Sequence, residues 1–262
     1  MNSKELYMIY HMTQRIHSIR LMLPWIIGLA FIFLGGTAWA DHLPPGILVI
    51  HFRTPPDYME RPAGSGPYTK YDIQAAIQLA KLGDAEAQSN LGVMLASRGD
   101  YQQAAYWEKQ AADAGLDTAA YNLGTLYFNG QGFQQDYAQA HQWFEQAAKR
   151  GNKYAEFQLG MTYYTGQGVQ KDPAQEMYWY EKAARQGLPA AQYNLAVIYH
   201  NGDEAKQDDI KAYAWMTLAQ KGGLDTSDAL ATIAQGMTPA QIQAAEKLSH
   251  NLSSEPWHDT RQ

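Results

Sequence analysis

Four tryptophans, Trp107, Trp143, Trp179 and Trp215, follow one another at intervals of thirty-six residues. A fixed period of this length means that one supersecondary unit recurs, and such units bury their apolar faces only by stacking on their neighbours. Seven residues before each tryptophan stands an aspartate (Asp100, Asp136, Asp172, Asp208), and eight after it a glycine (Gly115, Gly151, Gly187, Gly223). Aspartate is a helix N-cap, accepting from free backbone N–H groups, and glycine supplies the left-handed turn that ends a helix. Pro173, directly after Asp172, fits a first helical turn. Each tryptophan therefore lies mid-helix, with Ala104-Trp107-Ala111 and Ala140-Trp143-Ala147 forming one apolar stripe of a helix B.

A partner helix A precedes each helix B. Ala119-Leu123-Tyr127, Ala155-Leu159-Tyr163 and Ala191-Leu195-Tyr199 repeat at i, i+4, i+8, and the first unit has Ala87-Leu91-Leu95. The residue after the leucine is Gly92, Gly124, Gly160 or Ala196. A small residue there leaves room for two helices to cross closely, despite a mid-helix cost of about 1 kcal/mol for glycine. The phrases Gly130-Gln131-Gly132 and Gly166-Gln167-Gly168 fall between A and B, where the chain reverses. As phosphate-binding loops they fail, because no third glycine follows in register, no strand precedes and no Lys-Ser or Lys-Thr closes them. The first unit omits four residues at this point, which predicts a tighter turn.

The pattern A-x-x-x-L-G-x-x-Y-x-x-G-x-G-V-x-x-D followed by W-Y/F-x-x-A-A-x-x-G resembles the Sel-1-like repeats, relatives of the tetratricopeptide repeat, over about Ala87 to Gly223. The resemblance implies an all-α fold, a right-handed α-solenoid of antiparallel helix pairs. The fourth unit departs from the pattern, with "HNGDEAKQDD" in place of the G-x-G-V turn, so an irregular A–B loop is expected there. The units read as a partial one at 71–86 and complete ones at 87–118, 119–154, 155–190 and 191–223. "AIQLAKLGDAEAQ" supplies an isolated helix B ending at Gly83. Residues 224–252 read as capping helices, a worn helix A in "TSDALATIAQG" and a last helix opened by the capping box Thr238-Pro239-Ala240-Gln241, followed by a tail at 253–262.

Composition removes several classes of function. The chain has no cysteine, so disulfides, thiolate zinc sites and cysteine nucleophiles are excluded, as is everything specific to the cysteine-stapled branch of the resembling family. The eight histidines never take an i, i+4 spacing and no H-E-x-x-H occurs, so neither a metal nor another cofactor is expected. Beyond residue 40 the chain carries 17 basic against 25 acidic residues, which argues against nucleic acid as a partner. No S-x-x-K, S-D-N, K-T-G or G-x-S-x-G occurs, so the β-lactamase reading attached to some resembling proteins lacks its nucleophile setting.

Leu21 to Ala40, "LMLPWIIGLAFIFLGGTAWA", follows Arg15, His17 and Arg20 and ends in small residues at −3 and −1. That describes a secretory signal cut after Ala40, with a retained membrane anchor as the alternative, since twenty residues just span about 30 Å of hydrocarbon. Either way the remainder is expected outside the cytoplasm, in a bacterial periplasm or secreted. Residues 41–70 hold six prolines and read as an extended leader, whose Ile47–Ile50 lies on the first helices or occupies the groove as an internal competitor.

The expected function is a non-catalytic exported scaffold that binds a protein or peptide. In a tetratricopeptide-like register the inner surface would take the residues two and one before the leucine, and two, five and six after it. The candidates are Asn122, Thr125 and Phe128 in the second unit, Phe157, Gln158, Met161 and Tyr164 in the third, and Asn194, Val197 and His200 in the fourth. Amides would bond an extended peptide backbone and aromatics would receive its side chains. A glycan-associated envelope component is the alternative, but the repeat tryptophans are better read as core. His141 reads as a solvated helix-B residue.

Overall fold

The computed structural model describes residues 70–202 and 205–254. The expected export segment, the leader up to residue 69 and the last eight residues lie outside that range, as do Asp203 and Glu204. Among the described residues the structure is entirely helical. A helix α1 (Lys70–Ala80) precedes four hairpins, α2 (Ala85–Ala96) with α3 (Tyr101–Asp113), α4 (Asp117–Asn129) with α5 (Tyr137–Lys149), α6 (Lys153–Thr165) with α7 (Pro173–Arg185), and α8 (Pro189–Asn201) with α9 (Asp209–Lys221). A short α10 (Ser227–Ala234) and a longer α11 (Pro239–Ser254) end the array. Helices of one hairpin pack most extensively, and each hairpin's second helix then packs on the first helix of the next. This nearest-neighbour order defines a solenoid.

The helix ends follow the expected chemistry with one exception. Asp136 accepts from the Gln139 N–H, Asp172 from Ala174 and Gln175, and Asp208 from Lys211. Asp100 stands at the N-cap of α3 but makes no side-chain cap bond, its ψ of 54° lying outside the extended region the others adopt. Asn152 and Asp84 cap α6 and α2 in the same way, although the aspartate period does not reach them. Gly115, Gly151, Gly187 and Gly223 all have positive φ.

One bond closes every A–B turn. The Asp100, Asp136, Asp172 and Asp208 N–H groups donate to the carbonyls of Leu95, Tyr127, Tyr163 and Tyr199 at 3.0, 3.1, 3.3 and 2.8 Å. The first unit, four residues shorter, thus closes as the others do, and the divergent fourth turn keeps both this bond and a left-handed Gly202. The second glycine of each Gly-Gln-Gly has a further duty. A Cβ on Gly168 would meet the Tyr137 carbonyl, and one on Gly132 would lie 2.8 Å from the Tyr101 carbonyl carbon. These turns therefore rest on the first turn of the preceding unit's second helix, and only a bare backbone fits.

The interior is built from the predicted alanine and leucine stripes, with Ala119, Leu123, Ala155, Leu159, Ala191 and Leu195 all buried. The tryptophans correct the sequence reading. Trp215 is 3% exposed, whereas Trp107, Trp143 and Trp179 are only partly buried, packed on the edge of the clusters. Cations lie over two of these rings: Lys109 Nζ is 5.9 Å from the Trp143 ring centre and Lys182 Nζ 4.9 Å from that of Trp179. The side chain that enters the core is the next one, Glu108, Phe144, Tyr180 or Met216. Its space is made by the small residue opposite: a Cβ on Gly124 would stand 2.7 Å from the Phe144 ring, and one on Gly160 2.5 Å from the Tyr180 ring. Gly124 and Gly160 thus leave room for a ring as well as for the approach of a helix.

The far end is closed by α11, which packs on α9 more extensively than α10 does and buries its own Ala245 and Ser249. Its capping box is reciprocal, Gln241 Oε1 accepting from the Thr238 N–H at 2.8 Å and Thr238 Oγ1 from the Gln241 N–H at 3.3 Å. The helix includes residues 253 and 254, where the tail was expected to begin.

Candidate partner-binding face

The ten candidate positions divide by depth. Those two residues before the leucine are interior, with Ser89, Tyr121 and Phe157 buried and only Tyr193 partly exposed. Phe157 is 0% exposed and packs on Tyr180 at 5.5 Å between ring centres, as Tyr121 packs on Phe144 at 5.9 Å. These aromatics seal each hairpin and are not available to a partner. Met161 is likewise enclosed, its Sδ receiving the Tyr180 hydroxyl at 2.9 Å. Asn194 is buried, and Asn122 donates its amide to Glu108 Oε1 at 3.0 Å. An aromatic that packs against the opposing helix, and an amide bonded across units, serve the fold whatever the inner surface does.

The remaining candidates, Thr125, Phe128, Gln158, Tyr164, Val197 and His200, are partly exposed. Phe128, Tyr164 and His200 occupy the same place in successive hairpins, five residues beyond the leucine. Phe128 and His200 each meet the start of the partner helix. Phe128 meets Tyr137, the first residue of α5, edge to face at 5.1 Å, and His200 Nδ1 is 2.8 Å from the carboxylate of Asp209, the first residue of α9. Thr125 turns its hydroxyl back to the Tyr121 carbonyl at 3.0 Å. The result is a ladder of half-covered side chains, aromatic in the second and third units and an imidazole–carboxylate pair in the fourth.

Several buried polar groups escaped the sequence reading. Glu108 is 2% exposed, its Oε2 accepting from the Ser89 hydroxyl at 2.8 Å and its Oε1 from Asn122. Burial pushes its carboxyl up to about 8, the two hydrogen bonds opposing the rise. Glu156 is also raised by burial, offset by Lys182 at 3.4 Å and the Gln186 amide at 2.6 Å. Gln88 and Gln192 donate to the last carbonyls of the preceding helices, Ala80 and Ala184, at 3.2 and 3.0 Å. His141 is partly buried rather than a freely solvated residue. Its Nδ1 is 2.9 Å from Thr162 Oγ1 and its ring is edge-on to Tyr163 at 5.2 Å, so it joins α5 to α6. Since the Thr162 hydroxyl donates to the Leu159 carbonyl at 2.8 Å, the network assigns the proton of this pair to the imidazole Nδ1. Burial lowers the His141 pKa, with Glu145 opposing.

Among the described residues no group of three or more His, Asp or Glu is placed to hold a metal ion, and no helix is long and apolar enough to cross a membrane. A search of curated proteins returns no match. Among solved structures, a protective antigen of uropathogenic Escherichia coli with the SLR fold is similar at 33% identity over 69% of this chain, with a TM-score of 0.63. This chain spans only 40% of that protein's length. A Sel1 repeat protein from Oxalobacter formigenes is similar at 28% identity, with a TM-score of 0.58, over 68% of this chain and 77% of its own. The Sel1 repeat matches at residues 85–116, 118–152, 153–188 and 189–223, each match covering one of the four hairpins described above to within a residue. The chain belongs to the Sel1 repeat family.

Proposed function

We propose that this protein is a non-catalytic scaffold that binds an extended segment of another protein along the first-helix face of its hairpins. The observation that carries the reading is the ladder Phe128, Tyr164 and His200, set at equal sequence intervals and half-exposed, with Phe128 and His200 each braced by the first residue of the partner helix. Braced aromatics give large contact area with little loss of side-chain freedom on binding. Thr125 and Val197 lie three residues before Phe128 and His200, on the same helices and nearly the same face, whereas Gln158 lies six before Tyr164 and a third of a turn away from it. The residues left on this face include no Lys or Arg, so the partner segment is apolar or basic rather than a carboxylate terminus. The protein acts outside the cytoplasm, exported through residues 1–40, whose signal-like sequence supports that placement.

The test is affinity capture from an envelope extract with the full chain and with Phe128→Ala/Tyr164→Ala. A protein retained by the first and lost by the second, with the circular dichroism of both unchanged, supports the reading. Equal retention by both, or co-sedimentation with purified cell wall that survives the double substitution, rejects it.

A further inference from the structure

The first hairpin departs from the others at one buried pair. In the second and third units an aromatic two before the leucine packs on the aromatic that follows the tryptophan, Tyr121 on Phe144 and Phe157 on Tyr180. In the first unit the same two places hold Ser89 and Glu108, bonded at 2.8 Å. Glu108 Oε1 reaches on to the Asn122 amide at 3.0 Å, and Asn122 belongs to α4, the first helix of the next unit. One carboxyl therefore ties α2 and α3 to α4, directly over Gly92, whose Cβ would lie 2.8 Å from it.

Among the described residues the groups facing Glu108 are Ser89 and Gly92 from α2 and Asn122 from α4, and none of them titrates. A buried carboxylate with two neutral donors and no counter-charge is costly, so the proton is retained well above the ordinary carboxylate range. Once protonated, the carboxyl donates to Ser89 Oγ across the same contact and still accepts from Asn122. Because a solenoid unit contacts only its neighbours, the first hairpin opens without unfolding the units that follow.

We propose that Glu108 is a proton-dependent joint: uncharged, it holds the first hairpin against α4, and its ionisation releases α1–α3 from the remaining array. The joint sits at one end of the face assigned above to partner binding, yet the proposal does not depend on that assignment, since its readout is local opening.

The experiment is hydrogen exchange with mass spectrometry on the full chain at pH 6 and pH 8, corrected for intrinsic exchange, comparing peptides from residues 85–113 with reference peptides from 153–185. Linkage sets a loss of up to about tenfold per pH unit in this window. Protection in 85–113 is therefore expected to fall more than tenfold while 153–185 holds. Glu108→Gln, uncharged and of the same shape, is expected to abolish the loss, and Glu108→Met, which copies Met216 in the fourth unit, to do the same if the first variant fails to fold. Equal wild-type protection at both pH values, the same loss in the variants, or both segments falling together would overturn the joint. So would failure of both variants to fold, since an uncharged side chain would then be no substitute for the protonated carboxyl.

Discussion

Adding one methyl group at Gly160 tests the packing rule that builds every unit. The new Cβ would lie 2.5 Å from Tyr180 Cδ1 and 2.6 Å from Cε1. The ring has nowhere to retreat, being wholly buried, packed on Phe157 and held through its hydroxyl to Met161 Sδ. Overpacking of this kind costs about 2–3 kcal/mol, and replacing a mid-helix glycine by alanine returns about 1 kcal/mol, so Gly160→Ala should lose a net of about 1–2 kcal/mol. The fourth unit shows the alternative solution, Ala196 in the glycine's place and Met216 in the ring's. Tyr180→Met alone should cost about 2–3 kcal/mol by leaving a cavity. Gly160→Ala/Tyr180→Met, which copies the fourth unit, should be no worse than Tyr180→Met, giving a coupling of at least about 1 kcal/mol between the two sites. Urea denaturation of the four proteins measures it. Additive losses, or a stabilising Gly160→Ala, would refute the claim that the glycine exists to admit the ring.

Asp172→Ala should lose about 1 kcal/mol in the same assay, since two backbone N–H groups lose their cap, whereas Asp100→Ala should be close to neutral because no cap bond is there to lose. His141, held neutral by burial, has a folded pKa below its usual 6.5. Its contribution is complete above pH 6.5 and declines as pH falls through that value toward the lowered one, so His141→Asn should show a shallower loss of stability between pH 7 and pH 5, and proton NMR of the imidazole should place its midpoint below 6.5. Lys182→Met removes the cation from the buried Glu156 and should destabilise by roughly 2 kcal/mol at pH 7. Its deficit should shrink as pH falls and the Glu156 carboxyl, raised by burial, takes up a proton, and a constant deficit would mean that the lysine acts only by packing on Trp179.

The period, the helix boundaries and the turns were legible because each is written in local chemistry: a cap acceptor at one end, a left-handed glycine at the other, and apolar residues at helical spacing between. Which of two neighbouring aromatics points inward was not. Trp143 and Phe144 are separated by only one helical step, and the choice is made by Gly124 on the facing helix, a contact that spacing along one helix does not contain. The same limit explains the inner-face candidates. Phe157 and Met161 share a helix stripe with Tyr164, but the depth of each depends on how far Tyr180 reaches across. Glu108 and His141 were missed because their partners, Asn122 and Thr162, belong to the next unit. The departure of Glu108 from the aromatic column was nonetheless visible in the aligned repeats, and a charged residue in an apolar column was the signal that would have found it.

The central claim, that recognition belongs to the first-helix face of stacked hairpins, is tested most directly by site-specific photo-cross-linking in living cells. A photoreactive phenylalanine analogue is placed either at position 164 on α6 or at position 106 on α3, where Tyr106 is 54% exposed on a second helix. A discrete protein adduct from position 164 and none from 106 is the predicted result. An adduct from position 106 alone, or from neither, would contradict it.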